Sequence, residues 1–315
     1  AGSLLSLGDS FTPLLFLLVC TILNIFLDIW FVIAMPHEQA AFAVALATVL
    51  SQAVSAVLCA IRLLNMKHIV VIRREHLKVD MPIMKRVISL GIPAGITQMI
   101  FSLASIIVQS LTVSLGQNVV TAVTVIMRVD GFAMMPNFTF NLAATTFTGQ
   151  NVGAKRMDRV HQGAKATLLL GVGTAVFMTG CLLIFGESLM RMFTQTEEIV
   201  TLGAGMLRLM AIGYIAFAVS QVLGGVMRGA GETVIPMWIS IVTTIVVRMP
   251  IAYLWAYLTR SPQYPNGDPV CLYASLLIAW LFSCIVTIIV YRSGRWKRKL
   301  NFTEAANAME GSEQA

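Results

Sequence analysis

Long apolar runs separated by short polar connections follow one another through nearly the whole chain. Runs of roughly 20 residues, the length a helix needs to cross a bilayer at 1.5 Å per residue, fall at about 12–34, 39–62, 89–115, 119–147, 164–186, 199–227, 235–258 and 270–291. The pattern predicts an all-α polytopic membrane protein with eight transmembrane helices. Two of the connections repeat each other. Gly8-Asp9-Ser10-Phe11-Thr12-Pro13 is echoed by Gly231-Glu232-Thr233-Val234-Ile235-Pro236 at a constant offset of 223 residues, the mark of an internal duplication. In each copy the glycine lets the chain turn after one helix and Ser10 or Thr233 is placed to cap the next. Proline sits in the first turn, where its missing N–H is not needed.

Composition sharpens this picture. The chain is 57% hydrophobic and only 12% charged, where an average soluble domain is about one quarter charged. The five cysteines, mostly inside apolar runs, read as small buried hydrophobes. The four histidines, His37, His68, His76 and His161, have no Cys-x-x-Cys pair beside them, so no metal site is expected. No nucleophile–base pair, His cluster or phosphate loop appears in the spans, so a membrane enzyme is not expected. The +7 net charge is explained by its distribution. With the amino end inside, the connections on that side carry nearly all the Lys and Arg, and the other side carries only Arg191 and Arg260 among its acidic residues. The amino end and the carboxyl tail are therefore expected in the cytoplasm. No nucleic-acid partner is needed, whereas membrane lipids are expected partners. The basic connection 64–86, which carries Ile69 to Ile72 among its charges, reads either as an amphipathic segment on the membrane surface or as a solvated loop.

Only two acidic residues, Asp28 and Asp130, lie well inside the spans, where a carboxylate is costly enough to be a functional candidate. Asn24 precedes Asp28 by four residues and shares its helix face. Measured from the outer span ends, Asp28 lies about 9 Å deep, Asn24 about 15 Å and Thr48 on the next span about 13 Å. A carboxylate, an amide and a hydroxyl at one level suit a proton or a hard monovalent cation; the alternative is that they only join neighbouring helices. The fourth span holds Arg128, Asp130, Pro136, Asn137 and Asn141, too polar a set for a lipid-facing helix. Asp130 is either a substrate contact or a partner for a basic residue elsewhere, and Pro136 is expected to bend the helix. In the third span Gln98, Ser102, Ser105, Gln109 and Thr112 recur at helical spacing, as a cavity wall or a tight helix interface would require. Arg248 in span seven is expected to be structural.

In this order and spacing the chain resembles the multidrug and toxic compound extrusion (MATE) family. The resemblance rests on Arg128, Pro136 and Gly149-Gln150-Asn151-Val152-Gly153-Ala154, on Gly91-Ile92-Pro93 with Gln98, on Met227 to Thr233 with Pro236 and Arg248-Met249-Pro250, and on Gly8 to Pro13 with Asn24 to Asp28. It extends over essentially the whole chain. It implies a two-lobe, twelve-helix fold of which eight helices are present: 1–63 as the last two helices of the first lobe, 64–86 as a basic linker, 87–292 as a complete six-helix second lobe and 293–315 as a tail. The first four helices are expected to be missing, since spans three to six have no counterparts before residue 1. The implied function is export of amphipathic or cationic organic compounds in exchange for H⁺ or Na⁺, with no other cofactor, from a bacterial-type inner membrane, by a protein that is monomeric when full length. Asn24, Asp28 and Thr48 match a coupling-ion site of some members, although an Asp that such members carry on the first helix has no equivalent here. Gln98, Gln109, Asp130, Asn137 and Asn141 are expected to line the substrate cavity. Arg128, Pro136, Gly149, Gln150, Gly231, Pro236 and Arg248 are expected to be structural. The rival readings are a non-transporting membrane fragment or assembly subunit, and a lipid-linked oligosaccharide flippase of the same superfamily.

Overall fold

The computed structural model describes residues 2–9, 11–36, 39–66, 80–262 and 264–297. It resolves into two compact units, Ala1–Met81 and Pro82–Ala315. Most of the expected basic linker (67–79) and most of the tail (298–315) lie outside the described residues.

The first unit holds α1 (Gly2–Ser6), α2 (Phe11–Ala34) and α3 (Ala40–Asn65). Its contact stripe on α3 is Ala43, Ala47 and Ser51, three small residues four apart that let two helices approach closely. On α2 only Pro13 is buried, and large apolar side chains such as Phe11 and Ile33 point out of the unit. That is the arrangement of a helix pair whose outer faces meet lipid or other apolar helices.

The second unit contains α4 (Met81–Ser114), α5 (Gln117–Gly153), α6 (Met157–Arg191), α7 (Glu197–Gly229), α8 (Val234–Ile241), a π-helical segment (Val242–Arg248), α9 (Met249–Leu258), α10 (Cys271–Arg292) and a short 3₁₀ turn (Arg295–Lys297). All eight predicted spans are present as helices long and apolar enough to cross a membrane. Helices α4 to α7 run 33 to 37 residues and outgrow the apolar runs, because polar flanks such as Lys85-Arg86 are good helix formers and simply continue the helix. The end of the expected linker is thus the first turns of α4.

Helix α7 is the centre of this unit. It packs against α5, α6 and α10 and buries the largest share of its apolar window among the described spans. Its crossing with α5 is made at backbone distance. An added Cβ at Gly225 would stand 2.6 Å from the Asn141 carbonyl oxygen, and one at Gly229 would stand 2.8 Å from Thr148 Cβ and closer still to the Thr145 carbonyl. The two glycines are four apart, the small-xxx-small spacing of close membrane helix pairs. Polar bonds lock the crossing: Thr145 Oγ1 donates to the Gly225 carbonyl at 3.1 Å, and Asn141 Nδ2 donates to the Gln221 carbonyl and Oε1 at 2.9 and 2.6 Å. On the α6 side, Thr179 donates to the Ala211 carbonyl at 2.6 Å.

The two echoed connections have the same geometry. Gly8 and Gly231 adopt φ +88° and +87°. Asp9 N donates to the Leu4 carbonyl and Gly8 N to the Leu5 carbonyl; 223 residues later Glu232 N donates to Met227 and Gly231 N to Arg228. Both are Schellman endings with a left-handed glycine. At both turns a carboxylate caps the helix that follows. Asp9 Oδ1 accepts from Thr12 N at 3.0 Å, and Glu232 Oε1 accepts from Val234 N and Ile235 N at 3.0 and 3.1 Å. Thr233 makes no side-chain cap bond, and its buried hydroxyl has no partner. An anion at a helix N-terminus gains from the dipole as well as from the N–H bonds, which explains why the acidic residue takes this place.

Asp9 lies ahead of the span. Bonds from the Thr12 hydroxyl and amide, with Arg62 3.4 Å away, hold its carboxyl below the usual aspartate range. A depressed folded pKa means that the stabilising contribution is present above the unfolded value and is lost as pH falls through the folded one. Acidification below about pH 4 should therefore lower the melting temperature of the purified chain more than that of an Asp9→Asn variant. Equal acid sensitivity would remove Asp9 from the account.

Candidate functional site

Polar side chains inside the spans collect in two places, one in each unit. In the first unit, Asn24 and Asp28 share one face of α2, half-buried. Asn24 Nδ2 and Asp28 Oδ1 are both enclosed with no hydrogen-bond partner. Buried polar atoms are rarely left so, and here two of them lie one turn apart on the same helix face. Thr48 is exposed on α3, and its hydroxyl donates to the Val44 carbonyl at 3.0 Å. The structure thus brings Asn24 and Asp28 together and leaves Thr48 bonded to its own helix. The polar residue on the buried stripe of α3 is Ser51, whose hydroxyl donates to the Thr48 carbonyl at 3.0 Å.

In the second unit a cavity of about 120 Å³ lies among α4, α5, the π-helical segment and α10. Its polar lining comes from Ser105, Gln109, Thr112, Asp130, Arg248 and Tyr273. Asp130 accepts a hydrogen bond from the Tyr214 hydroxyl of α7. Arg248 ends the π-helical segment, and its Nε is enclosed without an acceptor. The ion pairs of the described residues do not include one between Asp130 and Arg248. The π-helical turns stand just ahead of Pro250, whose ring cannot donate to the preceding turn; such departures from α geometry concentrate at functional positions. Met127, Met210, Leu272 and Leu276 supply apolar wall.

The other candidates are placed as follows. Gln109 and Asp130 line the cavity, together with Ser105 and Thr112 from the predicted polar face of α4. Gln98 lies two turns or more away on α4, exposed. Asn137 is buried in α5, and Asn141 is committed to the α7 crossing; neither is a lining residue of this cavity. Arg128 is exposed, its guanidinium 5.9 Å from the centre of the Phe193 ring. Pro136 lies within an uninterrupted α5, and Pro236 is buried in the first turn of α8. Gly149 faces the Gly229 carbonyl at ordinary contact distance, and Gln150 is exposed. Tyr214, Tyr273 and Gln221 were not singled out by the sequence pattern, since a tyrosine in an apolar run shows no periodic signal. Gly225 and Gly229 did carry one, in their spacing.

Among known proteins, the family model for MatE matches residues 93–254, just over half of the chain and the core of the second unit. The chain belongs to the MatE family. With eight membrane-length apolar helices it is an integral membrane protein. MatE relatives include a probable multidrug resistance protein, YoeA, of Bacillus subtilis, 27% identical over 93% of this chain and 63% of its own length. Another is the probable multidrug resistance protein YpnP of the same organism, 27% identical over 95% and 64%. A crystal structure of a MATE protein in the bent conformation superposes with a TM-score of 0.82 at 21% identity, covering 95% of this chain and 64% of that one. The all-α, MATE-like fold of eight membrane-length helices expected from the sequence is therefore the fold observed, and the chain spans just under two thirds of the length of these MatE relatives.

Proposed function

We propose that this MatE chain forms the greater part of a secondary active antiporter that exports amphipathic or cationic organic compounds in exchange for H⁺ or Na⁺ across a bacterial-type inner membrane. The observation that carries the reading is the pair of enclosed, unpartnered atoms on α2, Asn24 Nδ2 and Asp28 Oδ1. A carboxylate oxygen enclosed inside a span without a partner offers an open coordination position for a proton or a hard cation, and an amide one turn away supplies a second ligand. In this reading Asp28 binds the coupling ion and Asn24 supports it. Alternating access then requires ion and substrate to favour different states of the protein.

The test uses the gene product that carries this chain, reconstituted in proteoliposomes with an imposed pH or Na⁺ gradient. Asp28→Asn should cut gradient-driven movement of a fluorescent organic cation by about tenfold or more, the scale of losing one charge-assisted contact, and leave the protein folded. Undiminished gradient-dependent export by Asp28→Asn would overturn the assignment.

A further inference from the structure

We propose that the cavity of the second unit binds one monoanionic group, a carboxylate or a halide, on Arg248. The guanidinium is permanently charged and carries five N–H donors. It reaches the cavity from the end of the π-helical segment, and its Nε–H meets no acceptor. The nearest candidate counter-charge, Asp130 on α5, is occupied on one oxygen by the Tyr214 hydroxyl of α7 and closes no ion pair with Arg248. A half-buried guanidinium whose enclosed Nε–H meets no acceptor is a place for an anion.

The rest of the lining agrees. Ser105 and Thr112 spend their hydroxyl protons on the Phe101 and Val108 carbonyls, which leaves the Gln109 amide and the Tyr273 hydroxyl as further donors facing the space. Donors outnumber anionic acceptors, and among the described residues no group of three or more His, Cys, Asp or Glu side chains could hold a metal ion. A free cation would face the guanidinium at short range, which argues against one. The apolar wall of Met127, Leu272 and Leu276 suits a short alkyl stem behind a carboxylate, and about 120 Å³ is room for a group of that size. Binding at this site is independent of the direction and coupling of transport.

The experiment is calorimetric titration of the purified chain in detergent, in chloride-free Tris sulfate, with sodium butyrate and separately with sodium chloride. Saturable binding of at least one is expected. Asp130→Asn should tighten it about tenfold, since the internal anion that shares the guanidinium's field is gone, and Arg248→Met should abolish it while Arg248→Lys restores part. Butyrate binding without chloride competition marks a carboxylate as the occupant, and equal competition marks a halide. No binding to either the natural chain or Asp130→Asn would overturn the proposal, as would Asp130→Asn weakening binding as much as Arg248→Met. Should Arg248→Met fail to fold, judged by its melting curve, the opposite-signed response of Asp130→Asn still decides.

Discussion

Gly229→Ala is expected to destabilise the second unit by about 1–3 kcal/mol, the range for forcing extra volume into a filled helix contact. Gly225→Ala should do the same, and Gly229→Leu should prevent folding. The obstacles are backbone atoms: the Thr145 carbonyl for Gly229 and the Asn141 carbonyl, 2.6 Å away, for Gly225. No rotamer change relieves them, so α5 and α7 would have to part by roughly 1 Å to restore a contact near 3.5 Å. Parting the helices also breaks the bonds from Asn141 to Gln221 and from Thr145 to Gly225. Gly173→Ala provides the control, because nothing lies within 4 Å of its added Cβ and alanine is the better helix former by about 1 kcal/mol. Thermal melting in detergent should rank Gly173→Ala at or above the natural chain and Gly229→Ala several degrees below it. Equal melting of the two variants would show that the α5–α7 crossing is not the close contact described.

Tyr214→Phe should produce the second large effect. The substitution keeps the ring that lies 5.6 Å from Trp280 and removes only the hydroxyl that donates to Asp130. A buried carboxylate stripped of its donor costs about 1–3 kcal/mol, and more where it stays charged. Tyr214→Phe combined with Asp130→Asn should recover much of the loss, because an amide needs that donor less. A double-mutant cycle read from melting temperatures would separate this coupling from simple packing; additive losses would mean that the two side chains do not act together.

How much of this was legible in the residues depended on which physical signal each feature carries. Eight spans follow from apolar length alone, and the twofold turn follows from Gly8 and Gly231 with their acidic and proline neighbours. Hydroxyl preference pointed to Thr233 as the cap of α8, whereas Glu232, one position earlier, has the longer reach and a charge and takes that place. Asn24 and Asp28 were legible as a pair by their spacing of four. Thr48 matched in depth but not in direction, since depth along a helix does not fix azimuth, and its hydroxyl closes on Val44. The cavity was half legible: Ser105, Gln109, Thr112 and Asp130 announced themselves as polar groups in spans, whereas Tyr214 and Tyr273 look like ordinary apolar-run aromatics. Arg248 was visible as an outlier. Its placement beside Asp130 depends on the π-helical turns, which shift the register of every side chain after them and leave no sequence periodicity to read.

The matched left-handed glycines have an evolutionary consequence. Most positions of a duplicated gene are free to drift apart, because each half meets different neighbours. Gly8 and Gly231 are held by φ near +88°, a demand that comes from the chain's own stereochemistry and is indifferent to surroundings. These two sites should therefore tolerate the same narrow set of residues, glycine first and asparagine a distant second. The memory of the ancestral repeat outlasts in such backbone-dictated positions what the side chains around them have already lost.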